Sequence, residues 1–364
     1  MKRRIEIGVL FSRSGSYELL GRACRDGALG GVAAVNADPR REIEFVPVER
    51  DPGGRIEAYA PLSAEILGTT AARHIVGCIT SWSRKDVIPA LEKGGGLLWY
   101  PAPYEGFEAS DHVVYMNAAP NQHLVPLVSH VASRYGRDAF LLGSNYIWGW
   151  EMNRIARDLV ADAGGEVRGE RYLPLGDTDV SRLVEEICAT APDFVLNNLI
   201  GPSSYAFFEA YAALGERDER FRPERRPVVS CNLTEAELPS IAPHGEGHLS
   251  CLPFVHDDRA GPRSSFEAAA HAAVTALADA IELAGTDEPG AVRHAAASRP
   301  FDTVLGRIRI DAATQHASLP FRIGRIRGER FEVVEASAGS IDPDPYLSRY
   351  DPATTFRPAL RLVR

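Results

Sequence analysis

Short apolar runs recur along the chain and alternate with helix-length stretches in which apolar and polar positions are mixed. The clearest case lies between residues 75–79 and 97–100, two strand-like runs that flank a predicted helix over 84–93. Such a strand–helix–strand unit places its strands parallel, with a right-handed crossover. Ligands bind beyond the carboxyl ends of parallel strands, so Ser81 and residues 100–104 are expected to meet in one crevice.

The same alternation fills the rest of the first third of the chain. Strands are predicted over 5–11, 43–48 and 113–116, and helices over 17–37 and 55–70. The serine-rich turn at 12–16 lacks the G-x-G-x-x-G and G-x-x-x-x-G-K-[ST] patterns, which argues against a dinucleotide or P-loop site. Its hydroxyl groups suit either a helix cap or a ligand contact.

After a polar crossing at 117–123 the pattern starts again. Strands are predicted over 139–144, 166–173, 194–199, 227–231 and 248–254, with helices over 151–163, 179–190 and 205–214 between them. A second crossing at 255–261 leads to a long alanine-rich helix over 263–284 and to strands over 303–310, 318–326 and 330–335. The proline-bearing stretch from Asp342 onward is expected to run over the surface.

These patterns predict an α/β protein with two doubly wound, Rossmann-like lobes. One lobe would comprise residues 1–120 and 255–325, the other residues 121–254 and 326–364. Ligand pockets favour such interfaces between domains. The strand ends that would face the cleft are residues 80–83 and 100–104 from one lobe, and 146–150, 201–204 and 232–235 from the other.

Composition narrows the class of partner. The chain has 364 residues, of which 45% are hydrophobic, and a formal charge of −9, which argues against nucleic acid or an anionic membrane as a direct partner. No apolar run approaches the roughly 18 residues of a membrane span. The start, MKRRIEIGVLF, resembles a first strand more than a signal peptide, so a cytoplasmic location is expected. The scattered cysteines (Cys24, Cys78, Cys188, Cys231 and Cys251) are expected to be reduced thiols.

Catalytic and metal-binding patterns are weak. There is no G-x-S-x-G elbow, and Ser81 has no histidine and acid in a motif around it. His244, His248 and His256 match no standard zinc spacing. The sequence therefore predicts a protein that is not an enzyme and uses no cofactor or metal.

Several longer motifs are distinctive. They are DPGG at 51–54, G-C-x-x-S-x-x-R-K at 77–85, YPAPYEGFE at 100–108, APNQ at 119–122, G-S-x-Y-I at 143–147, TEAE at 234–237 and DPDPY at 342–346. Through them the chain resembles the type I periplasmic binding proteins over residues 7–346. Within that fold it is similar to the amide-sensing negative regulators of bacterial aliphatic amidase operons.

The resemblance implies that a small amide or urea-like molecule binds between the lobes. It implies that the Ser81 hydroxyl and backbone N–H hold the amide oxygen, although Ser81 also suits a cap of the helix that follows. Tyr100, Pro103 and Tyr104 would form one wall, and Tyr146 and Trp148 the other. The full set of candidate ligand-binding residues is Ile79, Thr80, Ser81, Tyr100, Pro101, Ala102, Pro103, Tyr104, Tyr146, Trp148, Gly201, Asn232 and Thr234.

Three of these positions depart from the amide sensors. Ile79 and Trp148 stand where those proteins have pocket tyrosines, and Ala102 stands where they have a threonine. Loss of a hydroxyl that binds a ligand can change selectivity by orders of magnitude. A bulkier or more apolar amide, or a changed water network, is expected.

Two functions follow from the resemblance. In the first, the protein is a cytoplasmic sensor whose closure on an amide changes its affinity for an RNA-binding antiterminator protein. In the second, it is the substrate-binding component of an ABC transporter for urea, short amides or branched-chain amino acids. Homo-oligomerisation is left open in either case.

Overall fold

The structure, a computed structural model, describes residues 2–257 and 260–356. The first part of the chain contains β1 (Arg3–Leu10), α1 (Glu18–Ala37), β2 (Ile43–Arg50), α2 (Tyr59–Thr69), β3 (His74–Gly77), α3 (Ser81–Gly94), β4 (Leu97–Tyr100) and β5 (Val113–Tyr115). These strands form a parallel sheet in the order β2-β1-β3-β4-β5. We call this sheet with its packed helices the first lobe.

A second array follows. It contains α4 (Leu124–Arg134), β6 (Ala139–Ser144), α5 (Ile147–Asp162), β7 (Val167–Leu173), α6 (Ser181–Thr190), β8 (Phe194–Asn198), α7 (Pro202–Arg217), β9 (Val228–Ser230), α8 (Leu238–Ile241) and β10 (Leu249–Leu252). Strands β7, β6, β8, β9 and β10 lie parallel in that order. This sheet and its helices form the second lobe.

The remaining chain contributes to both lobes. It contains α9 (Ser265–Ala284), α10 (Pro289–Ser298), β11 (Phe301–Thr303), β12 (Gly306–Ile308), β13 (Arg322–Arg327), β14 (Arg330–Ala336) and α11 (Pro352–Thr355). Helix α9 packs on α1 and on the first sheet, and its many buried alanines allow this close approach. Strands β13 and β14 extend the second sheet antiparallel beyond β10. The predicted α/β fold with two lobes is confirmed.

Each sheet has one point where the strand order reverses direction. It lies between β1 and β3 in the first sheet and between β6 and β8 in the second. Loops that leave the carboxyl ends of such strands diverge and open a crevice. Two crevices of this kind border the space between the lobes.

The predicted strands over 97–100 and 139–144 are confirmed to the residue. The predicted strand over 75–79 ends earlier, at Gly77, because Cys78 adopts a positive φ of 67° and turns the chain out of the sheet. The strand predicted over 303–310 is wrong, since two short strands form a hairpin there. The Thr303 hydroxyl donates to the carbonyl of Gly306 and accepts from the N–H of Leu305, which closes the turn.

Contrary to expectation, the DPDPY segment at 342–346 does not run over the surface. Pro343, Asp344 and Pro345 are buried, and the N–H of Phe107 donates to the Pro345 carbonyl at 2.9 Å. The Asp344 carboxylate accepts the N–H of Arg349 at 2.7 Å, which fixes the following turn. The segment therefore packs against the YPAPYEGFE loop, and this contact brings two of the distinctive motifs together.

Candidate functional site

A cavity lies between the lobes where both sheets present their reversal points. It is lined from the first lobe by Tyr17, Leu20, Ile79, Thr80, Ser81, Tyr100, Ala102, Pro103 and Phe266, and from the second by Tyr146, Trp148, Ile200 and Asn232. The cavity has a volume of only about 20 Å³. This volume is on the scale of one ordered water. The cleft is therefore nearly shut.

Helix α3 begins at this cavity with a capping box. The Thr80 hydroxyl accepts the N–H of Ser83 at 2.9 Å, and the Ser83 hydroxyl accepts the N–H of Thr80 at 3.1 Å. Thr80, and not Ser81, is thus the cap, which corrects the alternative role considered for Ser81. Within the described residues, the N–H groups of Ser81 and Trp82 have no acceptor. Such free N–H groups at a helix N-terminus favour an oxygen that carries negative charge or partial charge.

The Ser81 hydroxyl is oriented from behind the cavity. It donates to Oε2 of Glu105 at 2.8 Å, and both groups are buried. A carboxylate that faces a guanidinium accepts hydrogen bonds and donates none. The single hydroxyl proton of Ser81 therefore points at Glu105 and not at an amide oxygen, which corrects the role that the resemblance implies for this hydroxyl, and the lone pairs of Oγ remain for another donor.

Glu105 belongs to a buried charge network. The guanidinium of Arg84 lies 2.7 Å from Glu105 and 2.8 Å from Glu108, and Lys85 also contacts Glu108 at 2.5 Å. Burial opposes ionisation of Glu108, but the charges and hydrogen bonds of Arg84 and Lys85 outweigh it and lower its pKa to about 2. Two cations face two carboxylates, so the network adds no net charge behind the cavity.

Aromatic rings enclose the guanidinium of Arg84. It lies 5.0 Å from the ring centre of Tyr100 and 4.8 Å from that of Tyr104. A desolvated cation over aromatic rings gains favourable cation–π interaction. The Tyr104 hydroxyl donates to the Glu108 carbonyl at 2.5 Å, which turns this side chain away from the cleft. Arg84, Tyr100, Tyr104 and Glu105, from two of the motifs, thus form one buried unit.

Three buried donors of the cavity wall make no hydrogen bond of ordinary length with the described residues: the hydroxyl groups of Tyr17 and Tyr100 and the indole N–H of Trp148. The Tyr17 hydroxyl does lie near that of Tyr146, and the Tyr100 hydroxyl near the guanidinium of Arg84. Burial raises the pKa of both tyrosines, so their hydroxyl groups are neutral donors near neutral pH. An unpaired buried donor costs about 1–3 kcal/mol, and a bound acceptor would recover that loss.

An aromatic contact crosses the cleft beside these donors. The Tyr146 ring of the second lobe lies 6.3 Å from Tyr17, edge-on, and 5.8 Å from Trp82, both in the first lobe. Pairs of this geometry contribute about 0.5–1.5 kcal/mol beyond burial. The contact stabilises the closed arrangement of the lobes.

The cavity wall is uncharged. None of the described residues that line it is an Asp, Glu, Lys, Arg or His. Behind the wall, Ser81 contacts Glu105 and Tyr100 contacts Arg84, which belong to the neutralised Arg84 network. The arrangement suits a small molecule that offers hydrogen-bond acceptors and donors and carries no net charge.

The structure brings most of the predicted site residues around this cavity. They are Ile79, Thr80, Ser81, Tyr100, Ala102, Pro103, Tyr146, Trp148 and Asn232. Pro101, Tyr104, Gly201 and Thr234 lie outside its lining. Gly201 instead approaches the first lobe, since a Cβ on it would stand 2.2 Å from the Ser16 carbonyl oxygen. The Thr234 hydroxyl donates to Glu235 at 3.1 Å. Contact between these four residues and a ligand stays a prediction.

Four lining residues were not predicted: Tyr17, Leu20, Ile200 and Phe266. Tyr17 directly follows the serine-rich turn after β1, and Ile200 directly precedes Gly201, so strand-end reasoning applied one residue further would have found these two. Leu20 lies in the first turn of α1 and is outside that rule. Phe266 lies in the first turn of α9, and only the return of that helix to the first lobe places it here.

Other site types are not supported by the described residues. Among them no group of three His, Cys, Asp or Glu side chains is arranged to hold a metal ion. His248 is buried, and its ring accepts the N–H of Val228 at 2.9 Å, so it has a structural role. In the described ranges, no helix combines the length and apolar character that crossing a membrane requires.

This molecule has two α/β lobes that close on a small uncharged cavity. Such an architecture is typical of proteins that enclose a small molecule between two lobes. The sequence matches the family described as periplasmic binding protein domain over residues 5–257 and 254–352, and the chain belongs to that family. The resemblance to the type I periplasmic binding proteins is thereby confirmed. The narrower resemblance to the amide-sensing regulators stays a prediction.

Solved structures with this fold include solute-binding proteins of ABC transporters. One from R. palustris, in complex with 4-hydroxybenzoate, is 20% identical over 93% of this chain and 98% of its own, with a TM-score of 0.81. The branched-chain amino acid transporter substrate-binding protein LivJ from Streptococcus pneumoniae, in complex with isoleucine, is 17% identical over 94% of this chain and 100% of its own, with a TM-score of 0.77. At these identities the likeness concerns the fold.

Proposed function

We propose that this protein is the substrate-binding component of a transport system, and that its solute is a small uncharged molecule of amide or urea type. The observation that carries the proposal is the uncharged cavity between the lobes, with unpaired donors on Tyr17, Tyr100 and Trp148. The transport role is supported by the family and by the ABC transporter proteins that share the fold.

The lining disfavours an amino acid as solute. A zwitterion needs donors for its carboxylate and an acceptor group, normally an acid, for its ammonium. The free N–H groups at the start of α3 suit a carbonyl or a carboxylate oxygen, but no described lining residue supplies a negative charge for an amine. An amide or urea needs only the hydrogen bonds.

The cavity size disfavours an aromatic acid. The open volume of about 20 Å³ would have to expand greatly to admit a ring such as that of 4-hydroxybenzoate. Rearrangement of this kind would break the Tyr146 contacts with Tyr17 and Trp82 across the cleft. An amide of a few non-hydrogen atoms also exceeds the present volume, but it requires a smaller opening of the cleft than the aromatic ring does.

A thermal-shift panel tests the proposal. It would contain formamide, acetamide, propionamide, butyramide and urea, with leucine, valine and 4-hydroxybenzoate as the competing classes. A ligand at about 100 times its Kd stabilises the folded state by about 2.7 kcal/mol. We expect stabilisation by the amides or urea alone. A shift with leucine, valine or 4-hydroxybenzoate alone would overturn the proposed ligand class.

A second candidate function is the cytoplasmic amide sensor that acts on an RNA-binding antiterminator. It is supported by the motif residues Arg84, Glu105 and Glu108, which meet in one buried network that touches Ser81 at the cavity. Gene neighbourhood separates the two functions. Adjacent permease and ATPase genes support transport, whereas an adjacent antiterminator gene and an amidase gene support the sensor.

A further inference from the structure

The contact between Ser81 and Glu105 fixes which hydrogen-bonding role Ser81 can play toward a ligand. A serine hydroxyl has one proton and two acceptor lone pairs. The proton is directed at Oε2 of Glu105 at 2.8 Å, and both oxygens of Glu105 face the guanidinium of Arg84, at 2.7 and 3.4 Å. Glu105 therefore cannot donate to Ser81, and Ser81 Oγ faces the cavity as an acceptor.

We infer that Glu105 is a positioning residue that makes the cavity select ligands with an N–H donor. This inference rests on the proposed function and identifies the N–H group as the feature of the solute that the site recognises. A ligand N–H would donate to Ser81 Oγ, while the free backbone N–H groups of Ser81 and Trp82 hold its carbonyl oxygen. Primary amides and urea offer both groups on one carbon atom. Ketones, esters and carboxylates offer acceptors only.

The burial of the network gives this selection its strength. Ser81, Arg84 and Glu105 are all at most 2% exposed, so water cannot replace a missing ligand donor at low cost. The capping box holds the backbone at Thr80 in place, and Arg84 holds Glu105, so the Ser81 hydroxyl cannot turn without losing its partner. A site built to pair with a substrate N–H discriminates strongly against the analogue that lacks it.

The test compares propionamide with 2-butanone, which have the same number of non-hydrogen atoms and the same carbonyl but differ in the N–H₂ group. Calorimetric titration gives the ratio of their Kd values for the wild type and for Glu105→Gln. A glutamine can keep its carbonyl oxygen toward Arg84 and present its N–H₂ to Ser81, which frees the hydroxyl proton for the cavity. Glu108→Gln is the matched control, because it also removes one carboxylate from Arg84 but does not touch Ser81.

We expect the wild type and Glu108→Gln to prefer propionamide by about tenfold or more, and Glu105→Gln to bring the ratio near one. Equal binding of the two probes by the wild type, or an unchanged ratio in Glu105→Gln, overturns the inference. If Glu105→Gln does not fold, Ser81→Ala replaces it, since it removes the acceptor without exposing a buried charge, and a retained ratio there overturns the inference equally.

Failure of the proposed function has a different signature. If the wild type binds neither probe, nor any amide of the thermal-shift panel, the amide class is excluded and this inference falls with it. If the wild type binds amides but shows no preference over the ketone, the proposed function stands and only the role of Glu105 is rejected.

Discussion

At the scale of single residues, Ser81 joins the cavity to the buried charge network. Ser81→Ala removes the acceptor of the proposed ligand N–H, and we expect it to weaken propionamide binding by about 1–3 kcal/mol. Calorimetric titration measures this directly. Ser203→Ala is the control, since Ser203 is also a buried serine in the first turn of a helix but lies outside the cavity lining. Equal affinities of wild type and Ser81→Ala would remove Ser81 from the site.

A second prediction at the scale of single residues concerns the side chain of Tyr17. Its hydroxyl makes no hydrogen bond of ordinary length, although it lies near that of Tyr146, so Tyr17→Phe should change the free energy of unfolding by less than about 1 kcal/mol. The same change should weaken amide binding about fivefold or more, because a donor toward the ligand is lost. Urea denaturation and ligand titration on one preparation provide both values.

Tyr59→Phe is the matched control for Tyr17. The Tyr59 hydroxyl is also buried but is paired, donating to the Ser12 hydroxyl at 3.1 Å and accepting the Ser12 N–H at 3.2 Å. Its removal should destabilise the fold by about 1 kcal/mol and leave ligand affinity unchanged. If Tyr17→Phe destabilises the protein as much as Tyr59→Phe and binds amide normally, the Tyr17 hydroxyl has a structural role only.

At the scale of elements, the start of α7 meets the turn after β1 across the cleft. Gly201 has a φ of 57°, and a Cβ there would lie 2.2 Å from the carbonyl oxygen of Ser16. Gly201→Ala should therefore oppose closure and weaken ligand binding about tenfold or more, a change of about 1.4 kcal/mol. Small-angle scattering with and without amide shows whether the lobes still close.

Gly53→Ala separates backbone strain from the clash between lobes. Gly53 has a φ of 65°, but no atom lies within 4 Å of a Cβ built on it. We expect this variant to lose stability while it closes on ligand as the wild type does. A Gly201→Ala protein that binds and closes normally would show that Ser16 and Gly201 do not meet in the closed state.

The element pattern was largely predictable because parallel strands buried on both faces read as continuous apolar runs. Strands β4 and β6 follow from the sequence to the residue. The exceptions have local causes. The left-handed Cys78 ends β3 early, and side-chain hydrogen bonds of Thr303 make a hairpin where apolar residues suggest one strand.

The sequence predicts only those site residues that lie at or just beyond the carboxyl ends of strands. Ser81, Tyr100 and Trp148 follow from that rule, but Phe266 reaches the cavity because α9 returns to the first lobe. The orientation of the Ser81 hydroxyl depends on Glu105, which is 24 positions away in the sequence. Hydroxyl orientations and unpaired donors are properties of tertiary packing, and no periodicity encodes them.

At the scale of the whole molecule, buried histidines in both lobes make stability depend on pH. Burial lowers the pKa of His74 and His123 to about 4 and of His248 and His316 to about 3. The folded state keeps them neutral, so below pH 6.5 the unfolded chain binds more protons and stability falls with pH. Each contributes about 1.4 kcal/mol between pH 7.5 and 5.5.

Glu237 makes stability change with pH in the direction opposite to that of the histidines. Burial raises its pKa to about 7, so it disfavours the folded state at high pH and recovers about 1–2 kcal/mol on the same acidification. The four histidines outweigh it, and we expect a net loss in the free energy of unfolding between pH 7.5 and 5.5. Urea denaturation at both pH values checks this, and Glu237→Gln should lose more than the wild type. Equal stability at the two pH values would contradict these pKa directions.

We propose that the closed lobes hold a small uncharged molecule. The most direct measurement is calorimetric titration of the protein with propionamide and, separately, with propionate. The two differ little in size, but only propionate carries a charge, which the uncharged cavity wall does not neutralise. We predict that propionamide binds and that propionate binds at least about 100-fold more weakly, because the partial charges of the N–H groups at the start of α3 replace only part of the hydration that a carboxylate loses on burial. Propionate affinity equal to or above that of propionamide would exclude an uncharged molecule as the preferred ligand.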